Sequence, residues 1–222
     1  MKSLNCPCCN SNNIKENFIS YNNIKYSICK NCNSSYQNPK VNINYMNTNW
    51  ETFKDPDGNI RNLKKERDFK IKNWYGDSIS YLNNNFKGKI LDVGAGLGFF
   101  LSALDSSKWE KYALETSNDC INYIKENFND INIAQGSINN HKFQYNAFDV
   151  VFFYHVIEHL ENPLLAIDEI HKLLKKDGLL IIGTPNNSSI CSLIFKKNFR
   201  LLKRFEEIIL SNLFVKFRMF AF

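Results

Sequence analysis

The chain has 222 residues, 44% hydrophobic and 14% aromatic, enough for one sizeable domain with a packed core and a small appendage. Its formal charge is +6, but residues 191–222 hold seven basic and two acidic side chains and so carry +5 of it. A body this close to neutral does not fit a core that grips nucleic acid. No apolar stretch approaches the roughly 20 residues that cross a bilayer, and the opening MKSLNCPCC lacks the apolar centre of an export signal, so a cytoplasmic protein is expected.

The first 40 residues hold two cysteine pairs, Cys6-x-x-Cys9 and Cys29-x-x-Cys32. Each C-x-x-C turn brings two thiolates to one side of a tight knuckle, and two knuckles make a tetrahedral four-sulfur cage for zinc. Four protein ligands fill that shell, so the site is expected to be structural, and a core this small needs such a staple. A disulfide framework conflicts with the missing export signal. A redox pair would follow a strand of a larger α/β domain. Cys8 reads as a bystander, and the stretch between the pairs as a short hairpin. Residues 41–58 read as a polar linker ending in the turn Asp55-Pro56-Asp57-Gly58.

Residues 59–86 show helical spacing through Ile60, Leu63, Phe69, Ile71, Trp74, Ile79 and Leu82. This segment is expected to pack on the next unit and to close over its ligand. That unit, residues 87–189, opens with KGKILDVGAGLGFFLSAL. Ile90–Val93 reads as a buried strand, Gly94, Gly96 and Gly98 as a loop, and Phe99–Leu104 as the start of a helix. Strand, glycine loop and helix suggest a nucleotide-type fold. The spacing is G-x-G-x-G, and Asp92 stands just before the loop, where its carboxylate would repel a pyrophosphate and suit a ligand with an ammonium and no phosphate. Glu115 ends the second strand, where a carboxylate takes both ribose hydroxyls in hydrogen bonds.

A helix over 120–128, the strand INIAQGSI and the apolar strand FDVVFFYHV follow. Asn162-Pro163 starts a helix with Leu164, Ile167, Ile170, Leu173 and Leu174 as its stripe and Gly178 as its end, and LLIIGTPN is the fifth strand. The succession argues an α/β fold with a parallel doubly wound sheet.

ILDVGAGLGFF, Glu115, FDVVFFYHVIEHLENP and LLKKDGLLIIGTPN together resemble the motifs of class I S-adenosylmethionine-dependent methyltransferases, over about residues 87–187. The ribbon in front resembles the arrangement in bacterial enzymes that methylate small molecules, particularly sugars of surface polysaccharides and nucleotide-linked sugars. The resemblance implies a Rossmann-like sheet of order 3-2-1-4-5, with S-adenosylmethionine as cofactor. Asp92, Gly94, Ala95, Gly96 and Gly98 match the loop that cradles its methionine and ribose. Glu115 matches the ribose carboxylate. Gly136-Ser137 stands beside the adenine, where serine departs from the usual residue. Tyr154 and His155 match the segment bordering the transferable methyl.

His155, Glu158 and His159 also spell H-x-x-E-H, a signature of inverted zinc proteases. There the motif lies inside a long helix; here it follows the fourth strand and ends at Pro163, so a single turn at the sheet's carboxyl edge is expected. Three roles stay open: His155 as the base that removes the acceptor proton, a divalent ion held as in relatives carrying E-x-x-E-H, or Glu158 and His159 bonding each other to stabilise the turn.

Residues 190–222 read as a basic amphipathic segment, a lid helix of a domain cut short or a contact with an anionic membrane surface. The last strands of a full sheet are not found. The expected activity is methyl transfer to a small molecule. The alternatives are an RNA methyltransferase and a non-catalytic binding protein of the same fold.

Overall fold

The computed structural model describes residues 5–19, 25–38, 46–54, 60–185 and 205–211. The expected turn at 55–58 and most of the C-terminal segment lie outside them. Among the described residues, no helix is long and apolar enough to cross a membrane.

The front of the chain is a three-stranded antiparallel sheet of β1 (Ile14–Ile19), β2 (Lys25–Cys29) and β3 (Ser35–Gln37). A small hairpin, β4 (Phe53–Lys54) with β5 (Ile60–Arg61), comes next. The helical segment then starts as a 3-10 turn (Leu63–Glu66). It continues through α1 (Arg67–Lys70), a π-helical turn (Ile71–Tyr75) and α2 (Gly76–Asn85). The expected single stripe is therefore wrong in two places: Ile60 lies on β5 and is exposed, and Phe69 is exposed on α1. The π turn holds one more residue per turn, so the 3.6-residue pattern slips across it. Trp74, Tyr75, Ile79 and Leu82 then pack on the core of the following unit.

That unit is built on β6 (Gly88–Val93), β7 (Trp109–Glu115), β8 (Ile131–Gln135), β9 (Phe148–Tyr154), β10 (Leu174–Pro185) and β11 (Phe205–Ser211). Spatial order is β11-β10-β9-β6-β7-β8. The first five in sequence run parallel in the order 3-2-1-4-5 read from the other edge, as expected. β11 pairs antiparallel with β10, Ile181 opposite Ile209, so residues 205–211 form an edge strand where an amphipathic helix was expected.

Apolar side chains alternate between the two faces of the sheet. Ile90, Phe152 and Ile181 join Leu82, Phe100 and Leu101 on one side; Leu91, Val93, Val151 and Phe153 join Ala166, Ile170 and Leu173 on the other. Coverage on both faces explains the unbroken apolar run of β9. α3 (Phe99–Ser102), α4 (Asn118–Asn127) and α5 (Pro163–Leu173) provide the cover. Asn162 caps α5 through Leu165 N–H at 3.3 Å and Pro163 takes its first turn. The helix stops at Leu173, before Gly178, and its buried stripe is Pro163, Ala166, Ile170 and Leu173, leaving Leu164 exposed. Asp177 is left-handed, within the register shift of β10 between Leu174 and Leu179.

Residues 46–54, expected as linker, pack on this unit. Trp50 stacks on Phe53, donates its indole N–H to Ser117 Oγ at 2.9 Å, and its backbone N–H reaches Asp119 at 2.9 Å. Lys64 pairs with the same Asp119 at 3.0 Å.

Candidate functional site

The carboxyl edge of a parallel sheet, where strand order reverses, is where open α/β folds bind ligands. Here the reversal falls between β6 and β9, and the loops after both strands face it. After Asp92 and Val93, the chain passes through Gly94, Gly96 and Gly98 at φ of +74°, +53° and +72°. Gly94 and Ala95 donate backbone N–H groups to Leu114 O at 2.8 and 3.3 Å. A side chain at Gly94 would sit 2.4 Å from Val156, so the bend packs against the loop after β9. At Gly96 a Cβ would meet nothing within 4 Å. The bend is thus tight behind and open in front, which leaves space for a ligand against bare backbone.

Glu115 closes the other side. One carboxylate oxygen accepts Gly96 N–H at 2.8 Å, and the second accepts the backbone N–H groups of Thr116 at 2.6 Å and Ser117 at 2.9 Å. The glycine bend and the end of β7 are therefore tied together by one side chain, nineteen residues from its partner. Gly136 N–H donates to Glu115 O at 2.9 Å, which brings the loop after β8 to the same place, and Ser137 opens a 3-10 turn (Ile138–Asn140) there. Asp92 is 4% exposed, and the described residues make neither an ion pair nor a hydrogen bond to its carboxylate. Burial, and after it the charge of Glu115, pushes the Asp92 carboxyl well above the usual carboxylate range. The Tyr75 hydroxyl is likewise pushed up, by desolvation and by the charge of Asp92.

Tyr154 and His155 follow at the end of β9. Tyr154 stacks on Phe152 at 5.3 Å and meets Tyr75 edge-on at 5.5 Å. His155 adopts a left-handed conformation, φ +57°, and donates its backbone N–H to Gly183 O on β10 at 2.8 Å. Its ring lies 5.7 Å from that of Trp74. A 3-10 turn (Ile157–His159) comes next, the single turn that the sequence predicts. Glu158 does not pair with His159 there. Its carboxylate takes His155 Nδ1 at 3.0 Å and Thr184 Oγ1 at 3.3 Å. Burial would raise its pKa, but the hydrogen bond and charge of His155 outweigh that and the net shift is downward. Among the described residues the H-x-x-E-H side chains do not gather into a metal cluster; the Cys6, Cys9, Cys29 and Cys32 group does.

Those four sulfurs lie within 4.8 Å of one another, with Cys6–Cys32 and Cys9–Cys29 at 3.5 Å. A tetrahedron of metal–sulfur bonds of about 2.3 Å has edges of about 3.8 Å, so the spacing fits zinc. The two knuckles repeat the same backbone. Cys6 N–H donates to Ser11 O and Cys29 N–H to Ser34 O, while Asn10 and Asn33, both left-handed, donate back to the carbonyls of Cys6 and Cys29. Cys8 is exposed and outside the group.

Trp50, Trp74, Tyr75, Ser117 and Thr184 were not singled out as site residues by the sequence. The aromatic pair Trp74-Tyr75 was a usable signal; Thr184 carries none without the register of β10 on β9.

Residues 91–182 match the family model described as a methyltransferase domain. The "Ubiquinone biosynthesis O-methyltransferase" of Rickettsia canadensis is 34% identical over 111 residues, which is 48% of this chain and 47% of that protein. The mitochondrial protein of the same name from Dictyostelium discoideum is 25% identical over 182 residues, 66% of this chain and 53% of its own length. The chain thus spans about half the length of the curated relatives it matches. The solved PH0226 protein of Pyrococcus horikoshii OT3 shares the fold, with a TM-score of 0.51 at 19% identity over 68% of this chain and 77% of that one. The glycine bend, its two carboxylates and the His155 turn all fall inside the stretch, residues 91–182, that matches the methyltransferase domain.

Proposed function

We propose that this chain transfers a methyl group from S-adenosylmethionine to a hydroxyl of a small molecule. The observation that carries the reading is the clasp of Gly96 by Glu115 beside a buried Asp92 that no cation among the described residues answers. A buried carboxylate of raised pKa is stabilised when a cation arrives, and the ammonium of the methionine moiety is such a cation. Asp92 would hold that ammonium, Glu115 the ribose hydroxyls, and the backbone of 94–98 the atoms between. When bound, the cofactor supplies an activated methyl on a sulfonium, already a good leaving group, so the protein's task is to align the acceptor and take its proton. His155 is the base we assign: it stands just after β9, beside the strand that carries Asp92, with the Trp74 ring against its own.

Transfer to oxygen is supported by the names of the relatives. A sugar or nucleotide-sugar hydroxyl is the acceptor we propose, because the four-cysteine ribbon ahead of the domain resembles that arrangement; the relatives' names favour a hydroxylated quinone precursor as the second reading. We infer that Cys6, Cys9, Cys29 and Cys32 hold one structural zinc.

The test is turnover of methyl-labelled S-adenosylmethionine with a panel of nucleotide-sugars and hydroxylated quinone precursors. Label in a sugar product supports the first acceptor class, and label in a quinone precursor moves the assignment to the second. Binding of the cofactor without transfer to any hydroxylated acceptor overturns the catalytic reading.

A further inference from the structure

Resting on the assignment of His155 as base, we propose that Glu158 and Thr184 form a relay that fixes the tautomer and orientation of His155, making Glu158 a positioning residue for methyl transfer. A neutral imidazole can take a proton only through its bare nitrogen, and the partner of the other nitrogen decides which one is bare. Here the partner of Nδ1 is Glu158 Oε1 at 3.0 Å. A carboxylate is acceptor-only when ionised, as a glutamate is at neutral pH. The ring must therefore present Nδ1–H to it and keep Nε2 for the acceptor proton. The other carboxylate oxygen takes the Thr184 hydroxyl at 3.3 Å, from a neighbouring strand end, so the carboxylate is held from two sides.

The backbone supports the same arrangement. His155 is a non-glycine residue at φ +57°, a sparsely populated conformation that persists where surroundings enforce it. The enforcing contacts are His155 N–H on Gly183 O at 2.8 Å and the rings of Tyr154 and Trp74 at 4.6 and 5.7 Å. Gly183 and Thr184 are consecutive on β10, so one strand end holds both the backbone of His155 and the carboxylate that orients its ring. The His155 and Glu158 side chains are 20% and 24% exposed. Lining up an imidazole in this way leaves its proton-accepting atom in one orientation before the acceptor arrives.

The test does not require the acceptor. Full-length protein carrying ¹⁵N-labelled histidine is examined by long-range ¹H–¹⁵N correlation at a pH where the ring is neutral, with His155 assigned through His155→Gln. The expected wild-type pattern has Nδ1 protonated and Nε2 bare. Glu158→Leu should move the ring toward the Nε2–H form; Glu158→Gln, whose amide oxygen still accepts from Nδ1–H, should retain most of the wild-type tautomer; Thr184→Val should broaden or mix the pattern. An Nε2–H tautomer in the wild type, or a pattern indifferent to Glu158→Leu in protein that still binds S-adenosylmethionine, overturns the relay. Should Glu158→Leu fail to fold, the wild-type pattern alone decides. Once an acceptor is found, Glu158→Leu should lower kcat by tenfold or more with KM nearly unchanged. Full activity in His155→Gln would refute the base and leave the tautomer result standing as a separate finding, so the two failures are distinguishable.

Discussion

Replacing Glu115 by glutamine removes one charge and one acceptor while keeping the shape of the side chain. In the free protein three backbone N–H groups point at this carboxylate, from Gly96 at 2.8 Å, Thr116 at 2.6 Å and Ser117 at 2.9 Å. Glutamine offers a single oxygen. If that oxygen serves Thr116 and Ser117, its amino group faces Gly96 N–H and the link between the glycine bend and β7 is lost. A hydrogen bond to a charged group contributes about 1.5–3 kcal/mol. The variant should thus lose about that much stability, read as a lower urea midpoint. The same carboxylate is assigned the ribose hydroxyls, and losing one such bond weakens cofactor binding by about tenfold to about 150-fold, at 1.4 kcal/mol per decade. Isothermal titration with S-adenosylmethionine and with its demethylated product measures the loss, which should be the same for both because each carries the ribose. A variant that binds within about threefold of the wild type would refute the assignment of Glu115 to the cofactor.

Asp92→Asn should act in the opposite direction on stability and in the same direction on binding. The folded-state pKa of Asp92 is raised, so its contribution to stability is full below the unfolded pKa and is lost as pH rises through the folded value. The neutral variant escapes that loss, so it should be more stable than the wild type at neutral and alkaline pH, with a flatter urea midpoint against pH, yet bind S-adenosylmethionine at least tenfold more weakly; a wild-type pH slope in the variant would count against it. Gly183→Ala places a methyl 2.2 Å from two ring carbons of Tyr154, whose ring is confined by Phe152 and Tyr75, so overpacking should cost about 1–3 kcal/mol in urea unfolding. Zinc by colorimetric release should be about one per chain in the wild type and in Cys8→Ser, and absent in Cys29→Ser; equal zinc in both variants would reject the four-sulfur site.

The parts legible in the sequence are those whose partners lie close along the chain. G-x-G-x-G after a strand, Glu115 at the end of the next strand, and two C-x-x-C knuckles are short-range patterns, and the structure brings each set together. The parallel order followed from alternation of strands and helices and from the apolar run of β9. What the sequence did not carry depends on register or on irregular backbone. The π turn at Ile71–Tyr75 breaks the helical period, so a single stripe drawn through the segment puts Phe69 inward and does not mark Trp74 and Tyr75 as neighbours of the site. Thr184 meets Glu158 only because β10 lies parallel beside β9. Trp50 lies in a polar stretch, and its contacts with Ser117 and Asp119 span 67 and 69 residues. The amphipathic pattern and basic neighbours of residues 205–211 fit a helix, while the partner strand of β11 lies earlier in the chain, from Pro185 opposite Phe205 to Leu179 opposite Ser211.

The central claim is a site for a cationic, phosphate-free nucleoside between Asp92 and Glu115. Equilibrium dialysis of the full-length protein against methyl-labelled S-adenosylmethionine, with NAD as competitor, tests it most directly. The account predicts one bound equivalent that an excess of NAD does not displace. Displacement by NAD, or no retained label, would contradict it.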